Sequence, residues 1–260
     1  MSFAPEWLAL RERADAEARA VDLLDPLRET LLNRTPLVVR DLGCGTGSMG
    51  RWLAGRLGGP QHWVLHDLDP RLLELAGAGM TRAGVTAETR EGDLTALRSD
   101  DLVGTSLVTA SALLDLFTSE EVERLAQACA GVPVLFTLSV AGRVELDPAE
   151  PLDVEFQDAF NAHQRRVVDG RRLLGPDAVT AAVAAFERVG SEVITRPSPW
   201  RLGPDQAALT AEWLRGWVAA AVEQEPGLAD VAPAYLRERL DADLTAVVHH
   251  TDLLALPRAV

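Results

Sequence analysis

The chain has 260 residues, 47% hydrophobic and 25% charged, enough for one large α/β domain with a sizeable core. Its net charge is −14 and its 25 basic residues are all arginine, which disfavours a phosphate-binding surface and leaves no lysine for base or Schiff-base chemistry. No apolar run approaches the ~20 residues of a membrane helix, no basic start leads into an apolar core, and Cys44 and Cys129 form no CxxC pair, so no membrane span, disulfide, zinc framework or other bound metal is expected, and a cytoplasmic location is.

The first 35 residues are rich in Ala, Leu, Arg and Glu and predict helices over 5–19 and 21–32, kinked near Asp25-Pro26. Residues 36–40 read as a short apolar strand ending at Asp41. A glycine loop follows, then a helix over 48–57 closed by Gly58-Gly59-Pro60. Strands are expected at 63–66, 86–91, 106–111 and 132–140, with helices at 70–84 and 119–130 between them. Strands alternating with helices of this length imply right-handed βαβ units and a parallel sheet. Beyond 140 the pattern predicts helices at 153–166 and 176–189, a strand at 191–196, helices at 205–223 and 233–240, and a last strand at 244–250. No repeat or long linker divides the chain. The expectation is one domain over 1–260: helices in 1–35, a cofactor-binding core in 36–140, and a substrate-facing half in 141–260 with a helical insertion at about 204–241.

The loop Asp41-Leu42-Gly43-Cys44-Gly45-Thr46-Gly47-Ser48-Met49-Gly50 fits two patterns. One is the G-x-G-x-x-G of dinucleotide enzymes, from Gly45 to Gly50. The other is D-x-G-x-G-x-G, from Asp41 to Gly47. Glycine serves both, by letting the backbone approach a ligand. Asp41 separates them. A pyrophosphate lies against such a loop, and a carboxylate just before the glycines would repel it. A ligand carrying an ammonium and a sulfonium would be attracted. Asp67 ends the second strand, 22 residues after Gly45, where a carboxylate can grip a ribose diol. Asp93 ends the third and can accept from an exocyclic amine of adenine. The Tyr-x-x-x-Lys of short-chain dehydrogenases is missing: Tyr235 is the single tyrosine and there is no lysine.

DLGCGTG, HDLDP, EGDL and VTASALLDL, in this order across about residues 37–140, resemble the successive motifs of class I S-adenosylmethionine (SAM)-dependent methyltransferases. The resemblance implies a Rossmann-like α/β fold with a seven-stranded, mostly parallel sheet of order 3-2-1-4-5-7-6 and SAM across the C-terminal ends of the strands. It also implies cofactor contacts from Asp41, Gly43, Gly45 and Gly47, from Asp67 and Leu68, from Asp93 and Leu94, and from Ser111. Cys44 lies within the same loop and is counted with it, as a small filler without a base beside it. Two further segments, EWLALRERADAEAR and FNAHQRR, echo bacterial small-molecule methyltransferases. The family's hairpin between strands six and seven is replaced by residues 197–243 with two predicted helices.

The implied activity is methyl transfer from SAM to an oxygen or nitrogen of a small molecule. The alternatives are a protein that binds SAM without methylating, as a binding module or cofactor-assisted cyclase, or an RNA or protein methyltransferase. Asp115, just past strand four, and His163, in the polar cluster 161–166, are the candidates for a base; the plainer readings are a helix-entry carboxylate and a solvated surface. Arg165 or Arg166 is a candidate partner for an anionic group. Of His249 and His250, on opposite faces of a strand, at most one can face a pocket, and His66 is expected to pack under the sheet. The stripes Trp7, Leu8, Leu10 and Leu209, Trp213, Leu214, Trp217 belong either to a roof above the cofactor or to core packing. The sequence carries no signal for an oligomeric state.

Overall fold

The apolar run that begins at Leu37 becomes the central strand of the sheet. Helices cover it on both faces, so nearly every side chain on it is buried. The structure, a computed structural model, describes residues 3–258. In chain order the elements are α1 (Pro5–Ala18), α2 (Leu24–Leu31), β1 (Leu37–Leu42), α3 (Ser48–Ala54), β2 (Gln61–Asp67), α4 (Pro70–Gly79), β3 (Val85–Glu91), β4 (Leu107–Ser111), α5 (Ser119–Ala128) and β5 (Val134–Asp147). Then come α6 (Leu152–Gln164), the strand pair β6 (Val167–Val168) and β7 (Arg171–Arg172), α7 (Ala178–Arg188), β8 (Ser191–Pro197), β9 (Trp200–Leu202), α8 (Ala207–Gln224), α9 (Ala232–Asp241) and β10 (Thr245–Pro257).

The sheet runs β3-β2-β1-β4-β5-β10-β8, with β9 also on β10. β1 to β5 are parallel, and β10 is antiparallel to β5, β8 and β9. With β8 as the sixth long strand and β10 as the seventh, this is the class I methyltransferase order 3-2-1-4-5-7-6, and the two insertion helices stand between those strands. Registers such as Leu42 beside His66 and Ala110, and Asp67 beside Glu91, bring the C-terminal ends of β1 to β4 to one edge.

Three apolar clusters hold the fold. One packs α2, α3 and α4 on one sheet face through Leu27, Trp52, Leu53 and Ala76. A second packs α5 and α7 on the other through Val122, Leu125 and Phe186. The third joins α6, α8 and α9 through Phe156, Trp217 and Tyr235.

The structure corrects several sequence expectations. The last strand runs past 250 to Pro257, with Leu253, Leu254 and Ala255 buried between β5 and β8, and β5 continues past 140. There the two pair from Thr245 opposite Asp147 to His250 opposite Val140. Alternation along this ribbon places Leu146 and Ala246 in the third cluster, so pairing outlasts the continuous apolar run. α4 stops at Gly79 rather than near 84, after two glycines, Gly77 and Gly79, that lose more backbone freedom on entering a helix than other residues do. Among the described residues no helix is long and apolar enough to cross a membrane.

Candidate functional site

Beyond β1 the chain turns back on itself at three glycines with φ of +63°, +55° and +86°, at Gly43, Gly45 and Gly47. At Gly47 a β-carbon would stand 3.2 Å from the Ala76 backbone, and at Gly45 it would press on Leu8 of α1. The loop therefore fits tightly between α4 and the N-terminal helix. It forms the floor of a cavity of about 470 Å³, within the usual size range of small-ligand sites. The ends of β2, β3 and β4 supply the sides, α1 the roof, and the β6–β7 hairpin the outer wall.

Nine of the sequence-predicted residues line this cavity: Asp41, Gly43, Cys44, Gly45, Asp67, Leu68, Asp93, Leu94 and Ser111. Gly47 shapes the turn without lining it. Asp41 is buried, and its Oδ1 accepts from Thr109 Oγ at 2.7 Å. Its Oδ2 has no hydrogen-bond partner among the described residues. Burial pushes the Asp41 carboxyl up to about 7; the Thr109 hydrogen bond and Arg19 oppose this, and Asp67 adds to it. Asp67 is oriented by the Gly45 N–H on Oδ2 at 2.9 Å and the Asp69 N–H on Oδ1 at 3.0 Å, which leaves each oxygen a further lone pair. Asp93 caps the following turn by accepting from the Thr95 N–H and hydroxyl at 2.9 and 2.8 Å, and these bonds hold its carboxyl below the ordinary range. The Cys44 thiol is driven far up by burial, then by Asp41 and Asp67, so it stays protonated.

Several cavity residues escaped sequence reasoning. Arg11 and Asp15 come from α1, which is polar on most of its surface and buries only Ala14 and Asp15, while Leu8 of the same helix, part of the stripe expected as a roof, also lines the cavity. Polar contacts hold the helix down. Glu12 takes Arg51 of α3 at 2.8 and 2.6 Å, and Asp15 accepts from the Trp200 indole N–H at 3.0 Å. Just past the helix, buried Arg19 donates to Ser48 and Ser111 at 3.2 Å, and Asp252 accepts the Ala20 N–H at 2.8 Å. No spacing announces these partners. The hairpin wall did carry a signal: Asp169-Gly170 between Val167-Val168 and Arg171-Arg172 is a type I′ turn sequence, and both turn residues have positive φ, +51° and +77°. Arg171 from this hairpin is spent on Glu121, at 2.9 and 2.7 Å, and on the Leu116 carbonyl at 3.1 Å.

The two base candidates do not line the cavity. His163 faces α8, with Nε2 3.3 Å from the Glu223 carboxylate and Nδ1 3.2 Å from Arg166; burial lowers its pKa. His163 is thus a helix-to-helix contact, while Asn161 of the same cluster donates to the Gly142 carbonyl of β5 at 2.7 Å. Asp115 lies in the turn after β4, where burial raises its pKa while Arg11 and Arg166 pull it down. Arg165 pairs with Asp177 at 2.6 and 2.8 Å. His249 meets Glu145 at 2.8 Å, His250 packs on Trp200 at 5.2 Å, and His66 lies beside Arg40 at 3.2 Å under the sheet, as its position suggested. Trp213 and Trp217 belong to the third cluster and not to the cavity wall, so only the α1 half of the expected roof is present. Among the described residues no group of three His, Cys, Asp or Glu side chains is placed to hold a metal ion.

Residues 39–133 match the family model described as a methyltransferase domain. Among solved structures, the YcgJ protein of Bacillus subtilis is similar with a TM-score of 0.51 and 13% identity, over 92% of this chain and 100% of that one. A SAM-dependent methyltransferase of Geobacter sulfurreducens, solved with S-adenosyl-L-homocysteine, aligns at TM-score 0.48 and 18% identity, over 99% and 100% of the two chains. The cyclopropane synthase MmaA2 of Mycobacterium tuberculosis aligns at 0.47 and 12%, over 90% and 83%. No curated protein matches the chain in sequence. At these identities the likeness speaks to the fold alone.

Proposed function

We propose that this chain acts as the methyltransferase its residues 39–133 match: a class I, SAM-dependent enzyme that methylates an oxygen or nitrogen of a small molecule. The observation that carries the reading is the row of three carboxylates, Asp41, Asp67 and Asp93, on one cavity, with a buried oxygen of Asp41 left without a donor. An ammonium is the partner that oxygen lacks, and a buried acceptor without one is costly. Asp67 is held with lone pairs to spare for a ribose diol, and Asp93 stands at the end of β3 to accept from an adenine amine. A pyrophosphate would meet three negative charges here, and the glycine loop would not offset them.

SAM, when bound, supplies a methyl carbon activated by its sulfonium. The residues of this chain then bind and orient. The carboxylate row fixes the cofactor's length across the strand ends. Leu8 over the glycine loop and the latched α1 keep water away from the reacting groups. Holding two reactants at near-attack distance can contribute ~7–11 kcal/mol, so this chemistry does not demand a base. Among the described residues no histidine lines the cavity and Cys44 stays a thiol, so the acceptor's lone pair forms the new bond as the methyl–sulfur bond breaks, and the acceptor's proton leaves to water. The cavity size and the −14 charge favour a small acceptor over nucleic acid.

Melting curves test the reading. SAM and S-adenosylhomocysteine are expected to raise the melting temperature, and NAD and NADP to leave it unchanged. A shift with NAD and none with SAM would sink the proposal. Asp67→Ala is expected to weaken S-adenosylhomocysteine by ~1–3 kcal/mol through the lost ribose contact. Calorimetry reads this, and unchanged affinity in a folded variant would remove the assigned role.

A further inference from the structure

Arg11 presents an unused hydrogen-bonding fork to the cavity. Its Nε donates to Asp15 Oδ2 at 2.9 Å, and its guanidinium packs over the Trp200 ring at 5.2 Å. Asp15 is in turn fixed by the Trp200 indole N–H at 3.0 Å. One edge and one face of the guanidinium are therefore held, while Nη1 and Nη2 have no hydrogen-bond partner among the described residues. The side chain is 14% exposed and lines the cavity. The other arginine on the cavity wall, Arg171, is committed to Glu121 and the Leu116 carbonyl. A planar fork anchored at Nε matches a carboxylate bidentately, a geometry lysine cannot reproduce.

The surroundings of Arg11 say which carboxylate. The guanidinium that acts on Asp41 is Arg19, beside Ser48 and Ser111. Arg11 acts instead on Asp115 after β4 and on His250 of β10, and it lies over Trp200 of β9. Trp200, the ring it lies over, pairs with Val248 of β10, so the fork stands toward β10, whereas Asp41 and Asp67 lie at the ends of β1 and β2. Apolar Leu8 and Leu113 also line the cavity, between this arginine and the glycine loop residues Gly45 and Gly43 that they touch. We propose that Arg11 selects the methyl acceptor by its carboxylate, so that the substrate class is small acids with an apolar body. The inference rests on the methyltransferase reading above. The acid's carboxylate stays bound and unreacted while its oxygen or nitrogen nucleophile bonds to the methyl carbon, the methyl–sulfur bond breaks to leave S-adenosylhomocysteine, and the nucleophile's proton passes to water.

The test uses the full chain saturated with S-adenosylhomocysteine and titrated with benzoate, or with uncharged benzamide, by calorimetry or ligand-observed NMR. Benzoate is expected to bind more tightly than benzamide. Arg11→Gln is expected to weaken benzoate ~10-fold or more, with benzamide changed less than about twofold, as for a lost charge-assisted pair. Arg11→Lys, which keeps the charge but not the fork, is expected to recover only part of the loss, and matching melting temperatures show that both variants fold. Equal benzoate binding in wild type and Arg11→Gln overturns the proposal, as does no preference for benzoate over benzamide. Loss of S-adenosylhomocysteine with 5′-methylthioadenosine spared in Arg11→Gln also overturns it, because Arg11 would then hold the cofactor's own carboxylate. Failure of wild type to bind S-adenosylhomocysteine at all tells instead against the methyltransferase reading.

Discussion

Replacing Asp41 with asparagine is expected to weaken SAM by about 2–3 kcal/mol, ~30–150-fold, while making the free protein more stable near neutral pH. Both effects follow from one buried carboxylate. Burial pushes Asp41 up to about 7 from an ordinary 3.8. Between those values the folded chain keeps a proton that the unfolded chain gives up. The stability from this group is therefore fully present below about pH 4 and is lost as pH rises through 7. Asparagine carries no such titration, so the variant should lose less stability on going from pH 5 to pH 8. Binding runs the other way. An ammonium is held by the ionised form, so wild-type affinity for SAM should rise from pH 6 to pH 8, with a proton released on binding at the acid end. Calorimetry in buffers of different ionisation enthalpy reads that proton. The variant should show neither the pH dependence nor the release, and 5′-methylthioadenosine, which has no ammonium, should bind both proteins alike. A wild-type affinity that is flat across this range, with no proton released, would mean that the orphaned oxygen of Asp41 does not meet the cofactor's ammonium.

Asp41, Asp67, Asp93 and Ser111 were legible before the structure because each follows from where a strand stops. Parallel registers carry all such ends to one edge, so chain position alone predicts that they meet. The roof obeys no such rule. The Trp7, Leu8, Leu10 stripe pointed to α1 as a roof and Leu8 reaches the cavity, but the helix is held by ion pairs and hydrogen bonds with residues far along the chain, such as Glu12 with Arg51 and Asp15 with Trp200, which no stripe announces. His163 failed for a related reason. A helix pattern shows that a polar cluster exists, but not that Glu223 of another helix will stand opposite it. The hairpin wall was missed although Asp169-Gly170 marks it, because two-residue strands fall below the length at which alternation is visible.

Trp217→Ala is expected to cost stability rather than function. The stripe Leu209, Trp213, Leu214, Trp217 fits a roof and a core equally well in sequence, since either would bury it. The structure places Trp217 at 1% exposure against Trp213, Phe156 and Phe160, with ring centroids 5.6, 6.0 and 6.4 Å away. Cutting it to alanine opens a cavity in the third cluster and is expected to cost about 3–5 kcal/mol. For a chain of this length that lowers the melting temperature by ~10 °C. S-adenosylhomocysteine affinity of the folded fraction should not change, because no atom of Trp217 lines the ligand cavity. Its buried indole N–H has no acceptor among the described residues, so part of what the ring gains by burial is already lost. Trp217→Phe removes that unpaired donor and keeps most of the apolar area, and it should cost far less than the alanine variant. Thermal and chemical unfolding measure the two together. An unchanged melting temperature in Trp217→Ala with weaker benzoate binding would return the insertion helices to the role of a substrate roof. The expected ordering, alanine far below phenylalanine with ligand affinities held, fixes them as the support on which β9 and the Trp200 end of the roof helix rest.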